Sequence, residues 1–247
     1  MLSKISTKPP KDLDKDEHKE RTKELVEEIA EMQRIMFAQA KHSLLVVFQG
    51  MDASGKDGVT RNVFGGVNPA GCRVHSFKKP TDLEFAHDFL WRVHQVAPQK
   101  GYIQIFNRSH YEDVLIQRVH NWIDMDTVHR RYEHINNFEK LIQDQNNTTI
   151  LKFFLHVSQD EQLERLNERI EIPRKYWKHN PNDMKEREHW DEYAKAYEDV
   201  FEYCSPDIPW HIIPTDKNWY KEYKVAEIVH QAMSDMNLEY PPMKDFS

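Results

Sequence analysis

Two hydrophobic patterns alternate along this chain, one with the three-to-four residue period of helices and one with the short runs of buried strands. From Asp12 to Lys41 the period is helical, with Leu25, Ile29, Met32 and Met36 recurring at spacings of three and four. The first half of that stretch is heavily charged, so it either projects from the domain or meets another subunit. Ser43–Gln49 holds an unbroken Leu-Leu-Val-Val-Phe run, which predicts a parallel strand buried on both faces. Four more strands are predicted over Cys72–Phe77, Tyr102–Phe106, Thr149–Val157 and Trp210–Ile213. Helices are expected over 56–64, 82–96, 111–120, 126–145, 160–170, 183–203 and 219–236. Residues 1–10 read as disordered, and 171–181 as an irregular basic and aromatic stretch. Strands that alternate with helices predict an α/β fold, a five-stranded parallel sheet flanked by helices on both faces. The chain shows no repeat, low-complexity tract or linker, so 1–247 reads as one domain, with a tail and helix over 1–42.

Bulk composition narrows the classes. A length of 247 residues suits one large α/β domain. The longest apolar run, Leu44–Phe48, is far too short to span a bilayer. No apolar leader stands at the N-terminus, and two cysteines, Cys72 and Cys204, make no disulfide or metal framework. A cytoplasmic protein is therefore expected. The net charge of −7 argues against nucleic acid as a partner, although a local basic cleft remains compatible with it.

Glycine placement points to a site. Of seven glycines, six fall between Gly50 and Gly71. Gly50-Met51-Asp52-Ala53-Ser54-Gly55-Lys56-Asp57-Gly58 joins a predicted strand to a predicted helix. Glycines let backbone N–H groups turn inward on an anion, a lysine reaches the terminal phosphates, and the helix N-terminus faces them. Gly50, Ala53, Ser54, Gly55, Asp57 and Gly58 are thus the expected phosphate and nucleotide contacts. The usual Ser or Thr after the lysine is absent. Asp57 stands there, and Asp52 adds a second carboxylate. Carboxylates beside phosphates make sense when a divalent cation lies between them. Asp52 is expected to organise Mg²⁺, with Mn²⁺ as a substitute. Asp57 either takes part or is a first-turn carboxylate stabilised by the helix dipole.

A second acidic group is expected near the end of a neighbouring strand. Asn107 there is neutral, so Asp113, further along, is the candidate, and Arg108 sits at the strand end itself. Basic residues gather around the predicted cleft, namely Arg61, Arg73, Lys78, Lys79, Arg108 and Arg118. A second group, Arg165, Arg169, Arg174, Lys175 and Lys178, falls where a lid over about 165–182 would carry it. Glu164, Glu168 and Glu171 interleave with it, which leaves a plain solvated face as the alternative. The histidines, among them His87, His94, His110, His120, His129 and His134, form no metal-binding pattern. No Ser/His/Asp or Cys/His set is present. A phosphate acceptor needs no general base, because its oxygens are already anionic.

With these segments in place, the chain resembles the polyphosphate kinase 2 family, and its class III branch in particular. The matching stretches are Leu45–Gly58 (LVVFQGMDASGKDG), Val67–Phe77 (VNPAGCRVHSF), Ala86–Trp91 (AHDFLW), Ile105–Asp113 (IFNRSHYED), Leu151–Val157 (LKFFLHV) and Trp190–Tyr197 (WDEYAKAY). They run in order across almost the whole chain. Other branches tend to carry Asp where Asn107 stands here. The resemblance implies a P-loop kinase fold of the thymidylate-kinase type with a helical lid. It implies Mg²⁺-dependent phosphoryl transfer from inorganic polyphosphate to AMP and ADP, with guanine nucleotides as further partners. Asp52 and Asp113 would then organise the metal, and Lys56 would bind the phosphoryl group in flight. Arg108 and the lid arginines would stabilise its charge. Arg61, Lys78, Lys79, Arg165, Arg169, Arg174, Lys175 and Lys178, with Arg118, would grip the phosphate chain. A homo-oligomer, dimer or tetramer, is also expected. The competing readings are an ATP-dependent nucleoside monophosphate kinase and a non-catalytic phosphate-binding assembly module.

Overall fold

Ser43–Gln49 forms strand β1, and all seven of its residues are buried, as an unbroken apolar run requires. The computed structural model describes residues 2–204 and 206–243; residues 1, 205 and 244–247 of the expected single domain lie outside the described residues. The other strands are β2 (Cys72–Ser76), β3 (Ile103–Asn107), β4 (Thr148–His156) and β5 (Trp210–Pro214). They join β1 in one parallel sheet of order β2-β3-β1-β4-β5. The expected five-stranded parallel sheet is thus present.

Because side chains alternate across a strand, β1 feeds two cores. Leu44, Val46 and Phe48 face a layer with Leu25, Ile29, Val59, Val63, Val225 and Val229. Those residues come from α1 (Lys15–Gln39), α2 (Lys56–Phe64) and α10 (Asn218–Ser234). Leu45 and Val47 face the opposite layer, with Val114, Leu115, Ile135, Phe138 and Val200. That layer holds α5 (Glu112–Val119), α6 (Met125–Asn146) and α9 (Trp190–Tyr203). Each fully buried side chain of this size contributes roughly 1.5–3 kcal/mol.

Register then positions the site. Phe48 pairs with Asn107 on one side and Phe153 on the other. The strand order reverses direction at β1, so a crevice opens at its C-terminal end, where ligands of open α/β sheets bind.

Several expected elements differ. The helix over 82–96 is two short ones, α3 (Asp82–Phe85) and α4 (Trp91–His94). Thr81 and Glu84 close a capping box on α3, and Asp88 then accepts from the Leu90 N–H at 2.9 Å, a local turn that competes with the helix. The helix over 183–203 is α8 (Asp183–Glu186), a 3₁₀ turn at Arg187–His189, and α9. The expected lid segment, about 165–182, begins inside α7 (Gln159–Glu171) and continues as a 3₁₀ segment at Pro173–Lys178. The tail is ordered by its partners. Leu2 is buried, Thr7 Oγ1 donates to Asp216 at 2.7 Å, and the Asp216 N–H donates back to the Thr7 carbonyl. The charged half of α1 lies along α10, where the His18 ring packs edge-on against Trp219 and Tyr223.

Candidate active site

The loop after β1 bends as its sequence predicts. Gly50 and Gly55 take φ of 146° and 100°, and Ala53 takes 59°. A Cβ on Gly50 would stand 2.7 Å from the Leu155 carbonyl, so only glycine fits against β4 there. Lys56 opens α2, and its ammonium donates to the carbonyls of Gly50 (2.8 Å) and Met51 (3.1 Å). Burial, seconded by the positive field of Arg108, lowers its pKa to about 8.

The loop is held from behind. Gln162 donates to the Asp52 carbonyl at 3.0 Å. Arg165 donates to the carbonyls of Ala53 (3.1 Å), Ser54 (3.2 Å) and Thr215 (2.5 Å), and its Nε pairs with Glu161. Arg165 therefore belongs to the body of α7 and to the loop's frame, with four of its five N–H donors engaged by protein. The Tyr197 hydroxyl accepts from the Gly50 N–H at 3.2 Å.

Arg108 ends β3 in a left-handed backbone, φ 61°, and its N–H donates to the Phe48 carbonyl at 3.0 Å. A non-glycine residue holds this conformation only when its surroundings impose it. The three following residues, Ser109, His110 and Tyr111, are fully buried. The Tyr111 hydroxyl donates to Glu139 at 2.8 Å, and Lys152 links Glu139, Tyr111 and the Cys204 carbonyl. Arg108 thus points its guanidinium at Asp52 (2.5 Å) and Glu112 (3.4 Å). Glu112 first, with Asp52 adding to it against burial, raises its pKa further.

A cavity of about 730 Å³ opens over this loop. Asp52, Ala53, Gly55, Lys56, Asp57, Gly58, Arg61, Lys78, Arg108, Arg165, Arg169, Lys175 and Lys178 line it, so most of the expected site residues do converge. Asp57, in the first turn of α2, accepts from Asn107 (2.6 Å) and from the lid's Lys178 (3.2 Å). Burial works against its ionisation, yet these two hydrogen bonds outweigh burial and hold its pKa below the ordinary value. Arg169 pairs with Asp183 at 2.7 Å, and Lys175 with Glu168 at 2.5 Å.

Six expected residues do not line this cavity. Gly50 and Ser54 belong to the loop itself, and Ser54 is fully buried within it. Asp113 is buried beneath Arg92 (3.0 Å) and Gln117 (2.6 Å), where desolvation raises its pKa against the pull of Arg92. Arg118 is engaged by Asp199 at 2.6 Å and Tyr132 at 3.2 Å. Lys79 and Arg174 are exposed and do not line it. The cavity also holds residues that local sequence did not single out, chiefly Trp177, Asn218 and Lys221. Their only sequence signal is position, in the lid and at the start of the last helix.

A sequence model of the polyphosphate kinase 2 (PPK2) family matches residues 12–241. The chain belongs to this family. Among curated polyphosphate kinase 2 relatives, the AMP/ADP-polyphosphate phosphotransferase of Meiothermus ruber is 48% identical over 214 residues, 86% of this chain and 80% of that protein. The ADP-polyphosphate phosphotransferase of Rhodopseudomonas palustris is 41% identical, covering 92% and 83%. The crystal structure of polyphosphate kinase 2 from Arthrobacter aurescens superposes with a TM-score of 0.95 at 38% identity, over 100% of this chain and 89% of that one. The P-loop kinase fold expected from the sequence is therefore the fold of this family member.

Proposed function

We propose that this protein transfers phosphoryl groups from inorganic polyphosphate to AMP and ADP, giving ADP and ATP, in either direction. One observation carries the reading. The cavity sets cations on three sides of one phosphate loop, from α2, from the end of β3 and from the lid segment. An acceptor phosphate oxygen attacks the terminal phosphorus of the donor, and the bridging oxygen leaves with its electron pair on the shortened chain. Lys56 follows the moving phosphoryl group, and Arg108 meets the charge that spreads over its oxygens. Lys78, Arg169, Lys175 and Lys178 hold the flanking phosphates. The relatives' names support these substrates.

Asp52 and Asp57 are carboxylates on the cavity wall, paired with Arg108 and Lys178, and would hold a magnesium ion, its shell mostly water and phosphate oxygens, once those two cations turn to the phosphates. Bound there, Mg²⁺ (or Mn²⁺) would neutralise phosphate charge. Asp113 remains a proposed organiser only at a distance, since Arg92 already engages its carboxylate. The test offers the purified protein AMP or ADP with polyphosphate, or with ATP as the competing donor. ATP should form from polyphosphate and Mg²⁺, and a chelator should stop it. Efficient use of ATP and none of polyphosphate would establish an ordinary nucleoside monophosphate kinase.

A cytoplasmic location, where these nucleotides are abundant, and a homo-oligomer complete the reading. No helix among the described residues is long and apolar enough to cross a membrane. The edge strand β2 exposes Val74, and α3 nearby exposes Leu83 and Phe85, a face suited to a second copy. Light scattering should return twice or four times the chain mass of 29.6 kDa, and a monomer would refute it.

A further inference from the structure

One lysine in the cavity has no local motif to mark it. Lys221 lies on α10, and it is only 1% exposed, yet it lines the cavity over the phosphate loop. Its ammonium donates to Asn218 Oδ1 at 2.8 Å and, at 3.4 Å, to the Gly55 carbonyl. Both are neutral acceptors. The nearby carboxylates serve other groups, since Glu161 pairs with Arg165 at 2.9 Å and Glu222 accepts from Asn62 at 2.7 Å. Arg165 and Arg61 add positive charge around it. Burial of a cation without a carboxylate partner is costly, and an anion in the cavity would relieve the cost.

Glycine makes the approach possible. A Cβ on Gly55 would stand 2.5 Å from the Lys221 ammonium, and one on Gly58 would stand 3.8 Å away. Lys221 therefore serves the far end of the loop, at Gly55 and Gly58. Lys56 serves its near end, at the Gly50 and Met51 carbonyls. Arg165, the cation expected from sequence on that flank, spends four of its five N–H donors on Glu161 and on the carbonyls of Ala53, Ser54 and Thr215.

We propose that Lys221 binds the donor chain at a subsite beyond the reacting phosphoryl group, so that it sets donor affinity and not the rate of transfer. The inference rests on the polyphosphate reading above. A chain of phosphates that crosses the loop passes from one lysine to the other, and a charge-assisted contact to the outer one is formed equally before and during transfer.

The experiment is steady-state kinetics on the full chain, wild type beside Lys221→Met and Lys221→Gln, with polyphosphate and ADP varied in turn. The expected result is a KM for polyphosphate raised about 10- to 100-fold. At saturating donor, kcat should stay within about twofold of wild type, and the KM for ADP should not move. An unchanged donor KM, or a rise in the ADP KM in its place, overturns the proposal. Should neither variant fold, amine labelling of the wild type mapped residue by residue decides. Saturating tripolyphosphate should slow the labelling of Lys221 where ADP alone does not, and unchanged labelling overturns the proposal. A wild type that makes no ATP from polyphosphate would instead overturn the functional reading, so the two failures are separable.

Discussion

Replacing Lys56 with methionine should lower kcat by about 10²- to 10³-fold or more, the usual cost of losing one preorganised donor to a transition-state charge. The fold should survive. The Lys56 ammonium is buried and already destabilised as a cation, with a pKa lowered from 10.5 to about 8. Methionine fills similar volume without that charge, so the melting temperature should hold or rise while turnover disappears. A variant that keeps more than a tenth of wild-type turnover would remove Lys56 from the chemistry. The same shift fixes a pH dependence. Between about pH 8 and 10.5 the unfolded chain binds more protons at this lysine than the folded chain does. The contribution of Lys56 to stability therefore rises with pH across that window. Activity moves the other way, because the cation is lost as pH passes about 8. The profile of kcat/KM, which reports the free enzyme, should fall above that point.

Glu139→Leu should destabilise the fold by roughly 3–5 kcal/mol, because it leaves a buried ammonium without its counter-ion. Lys152 stands in the middle of β4 and Glu139 on α6, both essentially inaccessible to water, with Nζ and Oε2 2.7 Å apart. Burial disfavours the carboxylate, but Lys152 and His110 overcome it and hold the pKa of Glu139 below its ordinary value. For a chain of this size the loss amounts to a drop in Tm on the order of 10 °C. Lys152→Met should cost a similar amount. The double variant should recover most of the loss, since an apolar pair can replace a buried ion pair at little cost. Single variants that melt within about 2 °C of wild type would sink this account. The activity of a folded Glu139 variant should fall as well, since Tyr111, three residues after the left-handed Arg108, loses the acceptor that anchors this segment.

These two residues also show what a sequence can disclose. Lys56 was legible because its meaning is local: the loop's glycines, the preceding apolar run and the following helix all lie within twenty residues of it. Lys152 sits in an apolar run that reads as an ordinary buried strand, and nothing near it announces Glu139 on the helix before. Helical period located α5 but not the direction in which it faces. Adjacent residues differ by about 100° around a helix, so Glu112 meets Arg108 while Asp113 turns beneath Arg92. Arg118, on the same helix, meets Asp199 and not the cavity. Arg165 reaches the phosphate loop, but three of its N–H donors go to carbonyls that frame the loop, which charge counting cannot foresee. Lys221 lies 166 residues from Gly55, whose carbonyl it touches, so only the sheet order and the packing of α10 bring them together. The tail read as disordered from composition, because its order depends on distant partners, Asp216 and Glu198.

The contact between Lys178 and Asp57 ties the lid to the phosphate loop across a half-open gap, with side chains 34% and 59% exposed. A pair so placed is worth about 0.2–1 kcal/mol, too little to fix the segment in one position. Dissolved ions weaken it further, since their screening length is about 8 Å at physiological strength. The anion that the lid grips at rest is therefore one that a phosphate chain can displace, so the lid trades one counter-ion for another as it engages. Its resting position is a property of the surrounding electrolyte as much as of the chain.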